Sequence, residues 1–72
     1  MLGVLNMKVI VNFKEGQYSV YVPKKDIEAN VVKIEKEGLF GGKLYLENGM
    51  TVYIEPQNET VVFPKTFDAK KL

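Results

Sequence analysis

Apolar and polar residues alternate along most of this chain. From Met7 to Phe13, Met7, Val9, Val11 and Phe13 fall on one face and Lys8, Ile10 and Asn12 on the other, which is the period of a half-buried strand. Tyr18 to Val22 alternates again after Lys14-Glu15-Gly16-Gln17, so the two runs predict a hairpin with a loop of three to four residues. Val31 to Lys36 predicts a third strand with Val32 and Ile34 inward. Lys43 to Glu47 and Met50 to Glu55 flank Asn48-Gly49, a pair that favours a type I′ turn, with Leu44, Leu46, Met50, Val52 and Ile54 inward. Pro56 to Glu59 reads as a turn. Thr60 to Phe63 and Lys65 to Ala69 read as one strand or as two broken at Pro64, and Lys70 to Leu72 as a short tail with one apolar anchor.

No window of ten or more residues carries the 3.6-residue period of an amphipathic helix. The expected fold is therefore all-β. Five to six short, mainly antiparallel strands in a 72-residue chain cannot make two good sheets, and curling into a small single-domain barrel removes exposed edges. The domain is expected to span residues 7–72. A second methionine at position 7, just before the first alternating run, marks residues 1–6 as a frayed N-terminal extension.

Composition narrows the chemistry. A domain this small buries only about 60% of its unfolded surface, so most apolar side chains are needed for the core. The chain has no cysteine and no histidine. It therefore lacks the usual donors of zinc, iron–sulfur and haem sites and cannot form a disulfide. The same absences remove the thiolate nucleophile and the imidazole acid–base group, so no catalytic, cofactor-binding or metal-ligating residues are assigned and a non-enzymatic protein is expected. Ten lysines against nine acids, with no arginine, give a net charge of +1, which argues against nucleic acid as the main partner. No apolar run reaches the roughly 20 residues needed to span a bilayer. The first residues do not read as a signal peptide, so a cytoplasmic protein is expected, with a monomer favoured.

Three stretches invite a functional reading. In Val22-Pro23-Lys24-Lys25-Asp26-Ile27-Glu28, proline suits the second position of a turn and Asp26 can accept backbone hydrogen bonds, so chain reversal alone accounts for the segment. The functional alternative makes Pro23, Lys24, Lys25 and Asp26 a docking corner for an acidic surface. In Leu39-Phe40-Gly41-Gly42-Lys43, no helix and no Gly-Lys-Ser/Thr element follows, so phosphate binding fails on context. Positive φ or a bulge at a barrel corner explains the glycines better, and Phe40 either caps the barrel end or, with Gly41 and Gly42, joins the docking surface. Tyr21, Tyr45 and Tyr53 face away from the core. They could stack the bases of a single-stranded nucleic acid, although such tyrosines more often pair across strands.

The order of these motifs carries a resemblance. Ser19 to Glu28, then Val31-Val32 and Glu35, Gly41-Gly42, Leu46, Asn48-Gly49, Pro64 and the ending Ala69 to Leu72 resemble the NifT/FixU family of small nitrogen-fixation-associated proteins. The resemblance implies a compact barrel-like domain and an accessory part in maturing or assembling nitrogenase. The implied partner is a nitrogenase component or a maturation factor. Phe40 and Met50 stand where that family is expected to carry tryptophan. Both remain apolar, but any role for an indole N–H is lost at these positions.

Overall fold

The computed structural model of the protein describes residues 5–72. Six strands follow one another: β1 (Leu5–Lys14), β2 (Gln17–Val22), β3 (Ile27–Lys36), β4 (Phe40–Leu46), β5 (Thr51–Gln57) and β6 (Lys65–Lys71). Each pairs antiparallel with the next, and β6 returns to β1 over Leu5↔Lys71 to Val11↔Lys65, closing a barrel. Of the N-terminal extension expected over residues 1–6, residues 1–4 lie outside the described residues, while Leu5 and Asn6 pair with Lys71 and Lys70.

The core follows the alternation. Val9, Val11, Val20, Val22, Leu44, Val52 and Ile54 are fully enclosed, with Ala29, Val31, Phe40, Leu46, Phe67 and Ala69 completing the interior. One mouth of the barrel is filled by rings: Phe40 lies 5.5 Å from Tyr18, 5.2 Å from Phe63 and 5.4 Å from Phe67, centroid to centroid. These distances suit the tilted and edge-on arrangements that aromatic quadrupoles prefer. Phe13 shares this mouth but remains 44% exposed, against Tyr18 at 4.4 Å, so it is a rim residue and not the core residue its alternation predicts.

Several local readings change for identifiable reasons. Val31, not Val32, faces inward, and Val32 is 64% exposed. The β3–β4 register shifts between Val31 and Lys33, and this bulge reverses the in–out parity so that Ala29, Val31 and Ile34 all face the same side. The first hairpin turns on two residues only, Glu15 and Gly16, with φ of 54° and 80°. That is the backbone of a type I′ turn. At Asn48-Gly49 the expected type I′ turn is absent. Only Gly49 there has positive φ, and the Gly49 N–H donates to Leu46 C=O at 3.0 Å, giving a three-residue loop of Glu47–Gly49 between Leu46 and Met50.

Pro56 lies inside β5 and not in a turn. The β4–β5 register shifts between Phe40↔Gln57 and Gly42↔Ile54, which leaves one extra residue on β5, and a bulge is where a strand tolerates proline. Thr60 to Phe63 is no strand. It belongs to the loop joining β5 and β6, held down by Phe63, whose ring packs 5.4 Å from Tyr18. Lys70 and Lys71 continue β6 and are not a tail. Among the described residues no helix is long and apolar enough to cross a membrane.

Candidate docking site

An up-and-down barrel gathers its turns at two ends. The β2–β3 turn (23–26) shares one end with the β4–β5 loop (47–49) and the end of β6. The β1–β2 turn, the link from β3 to β4 and the loop before β6 share the other, where the aromatic rings lie. Consequently the two halves of the expected docking surface are separated by the length of the barrel. Pro23, Lys24, Lys25 and Asp26 are exposed at one end, while Phe40, Gly41 and Gly42 are buried at the other.

The glycine segment is thereby removed from the docking surface, and its geometry gives the reason. Gly41 and Gly42 have φ of 123° and 96°, and a Cβ on either would collide with the backbone of a neighbouring strand. Their role is to let β3 and β5 approach β4 at a bulge. Phe40 is only 3% exposed and is the hub of the ring cluster, so it caps the mouth and offers no surface.

The Pro23–Asp26 corner is built from local hydrogen bonds. The Lys25 N–H donates to Val22 C=O at 3.1 Å, which places proline at the second position of a β-turn, where its fixed φ fits. The Asp26 N–H donates to Pro23 C=O at 3.3 Å, and Asp26 itself takes φ of 51°, a conformation that aspartate tolerates better than most residues. The Tyr21 hydroxyl, on β2, then donates to Asp26 Oδ1 at 2.9 Å and ties the turn to the barrel wall. Chain reversal and a fixed platform for two lysines are the same structure here.

Charges at this end are unequally engaged. Asp26 accepts from Tyr21, and Glu47 accepts from the Asn30 N–H at 3.0 Å. Among the described residues neither Lys24 nor Lys25 forms an ion pair. The hydrogen bond that Tyr21 donates to Asp26, followed by the charge of Asp26, by burial and by the charge of Glu28, raises the Tyr21 pKa above its ordinary 10.0. A raised value means that the folded chain holds the phenolic proton more tightly than the unfolded chain does. The resulting stabilisation is complete below about pH 10 and is lost as pH rises through the folded value. Phenolate absorbance should show Tyr21 titrating above its ordinary 10.0, and Asp26→Asn should return it towards that value; no change in that variant would refute the coupling.

The three outer tyrosines are spread over β2, β4 and β5. Tyr21 is separated from Tyr45 by β3, Lys33 Nζ sits 5.6 Å from the Tyr45 ring centroid, and Tyr53 lies in register between Lys43 and Lys70. Burial, then the charges of Glu37 and Glu55, raise the Tyr53 pKa.

Residues 7–69 match the NifT/FixU protein family. The chain belongs to that family. A FixU homolog of Sinorhizobium fredii is 39% identical over 66 residues, covering 92% of this chain and 87% of its own. Protein NifT of Klebsiella pneumoniae is 36% identical, covering 86% of this chain and 92% of its own. Protein MosB of Rhizobium meliloti contains a segment 30% identical to 92% of this chain, which is 13% of that longer protein. No solved structure matches. As a NifT/FixU protein, the chain is associated with nitrogen fixation.

Sequence reasoning missed two features of this NifT/FixU barrel. One is the ring-filled mouth, because Phe13, Phe40, Phe63 and Phe67 are spread over four separate segments. The other is a groove along β6. It follows from how few residues of β5 and β6 pair, which no local window of the sequence shows.

Proposed function

We propose that the protein is a non-enzymatic accessory factor of nitrogen fixation that docks, through the Pro23–Asp26 corner, on an acidic surface of a nitrogenase component or of a factor that matures nitrogenase. The observation that carries this reading is the pair of exposed lysines, without ion partners among the described residues, on a turn fixed at both ends in a chain of the NifT/FixU family. A turn already held in one conformation loses less entropy on binding than a mobile one. Glu28 and Asp26 keep the corner close to neutral overall, so attraction acts at short range and not through a wide field. The protein would act in the cytoplasm, as a monomer.

The test is binding of the purified protein to purified nitrogenase components and maturation factors. Lys24→Glu/Lys25→Glu should weaken the complex by about tenfold or more at moderate salt, mainly through faster dissociation. Lys14→Glu/Lys36→Glu makes the same change of net charge at the opposite end of the barrel and should bind as the parent does. Equal affinity of all three proteins would rule out the corner.

A further inference from the structure

The barrel closes unevenly. β5 and β6 pair only through Val52↔Lys71, Tyr53↔Lys70 and Ile54↔Ala69, although β5 continues to Gln57 and β6 starts at Lys65. The other edge of β6 is occupied over that stretch, from Lys8↔Asp68 to Val11↔Lys65. In an antiparallel ladder, successive residues turn their N–H and C=O groups alternately to one neighbour and then to the other. Half of the residues from Lys65 to Asp68 therefore direct their backbone groups away from β1, into the seam that β5 leaves open.

That seam is a groove of about 640 Å³ between β6 and the outer residues Tyr53, Glu55 and Gln57 of β5. Its two walls differ. On β5, Pro56 has no N–H, the Gln57 carbonyl accepts from the Leu39 N–H at 2.8 Å, and the Glu55 carbonyl accepts from Gln57 Nε2 at 2.7 Å. Gln57 thus spends its carbonyl on the β4 side of β5, and no ladder covers the edge of β6 from Lys65 to Asp68. Along β6 the rim is cationic: Asp68 is neutralised by Lys8, Lys65 Nζ lies 5.6 Å from the Phe67 ring centroid, and Lys70 is without an ion pair among the described residues. Glu55, on the opposite wall, leaves the β6 side as the one that attracts anions.

We infer that this groove receives an extended peptide segment of a partner protein, added as a strand along β6 from Lys65 to Asp68, with an acidic side chain towards Lys65. Strand addition supplies affinity through main-chain hydrogen bonds and specificity through alternate side chains. Four residues of edge span about 13 Å, so a segment of roughly four to six residues fits. The site lies on the barrel wall, apart from the Pro23–Asp26 corner, and stands or falls independently of it.

The probes are capped hexapeptides titrated into isotope-labelled protein with backbone amide signals as the readout. One alternates valine with glutamate, one alternates valine with lysine, and one is the glutamate peptide with alternate backbone nitrogens methylated. The glutamate peptide should move the amide signals of Lys65–Asp68 and slow their hydrogen exchange, the methylated peptide should bind at least tenfold more weakly, and Lys65→Glu should reverse the preference between the two charge types. Failure of both unmodified peptides to move these signals would overturn the proposal. So would equal binding of the methylated peptide, or concentration-dependent shifts without any peptide, which would place a second copy of the chain in the groove.

Discussion

Gly42→Ala is expected to remove most of the stability of this domain. The added Cβ would collide with the carbonyl oxygen of Glu35 and stand 3.1 Å from the amide nitrogen of Glu37, both of them backbone atoms. Neither side can yield easily, because Gly42 is in register with Lys36 on β3 and with Ile54 on β5. A non-glycine residue at φ of 96° adds strain of about 1–3 kcal/mol. Separating the ladder adds to this, so the total loss should be at least about 3 kcal/mol. A chain of this size has roughly 4–11 kcal/mol in all. Urea unfolding followed by circular dichroism checks the loss. Gly16→Ala is the comparison: its φ of 80° is similarly unfavourable, yet nothing lies within 4 Å of the new Cβ, so it should cost about 1 kcal/mol. Equal losses at the two positions would show that strand approach is not what requires glycine at 42.

Phe40→Ala should be nearly as severe, at about 3–5 kcal/mol. The ring touches Tyr18, Phe63 and Phe67, and through Phe63 it anchors the loop that leads into β6. Its removal opens a void at the barrel mouth that three separate segments would have to collapse to fill. Phe40→Leu retains much of the volume and should cost less than about 1.5 kcal/mol. The folded Phe40→Leu protein should also bind partners at the Lys24–Lys25 corner as the parent does. Weakened binding in that variant, with stability retained, would return Phe40 to the contact surface.

Individual strands were legible because strand formation leaves a period of two in the local sequence, and that period survives wherever one face is buried. Val9 and Val11, Val20 and Val22, Leu44 and Leu46, and Val52 and Ile54 are all buried as their alternation implies. Alternation fails where the chain inserts a residue. At Val31-Val32 both residues are equally apolar, and only pairing with Leu46 and Tyr45 on β4 decides that Val31 enters the core. Pro56 looked like a turn because proline normally ends a ladder, and the bulge that accommodates it depends on Gly41, fifteen positions earlier. Asn48-Gly49 carried the usual signature of a two-residue turn, but the Leu46 and Met50 backbones are bonded to each other, which sets a three-residue loop.

The candidate site divides in the same way. Turn chemistry at Pro23 and Asp26 is written in those residues, as is the exposure of the two lysines between them. Their separation from Phe40-Gly41-Gly42 is not, since it follows from counting strands up and down the barrel. By itself, then, the amino-acid sequence determined the all-β character, most of the inward positions, the lysine-bearing corner and the absence of cysteine and histidine, all properties of single residues or short windows. Only the tertiary structure decided the bulges, the ring-filled mouth, the distance between the corner and the paired glycines, and the open edge of β6. Each of these depends on which residue of one strand faces which residue of another, and that choice is made by closing the whole barrel.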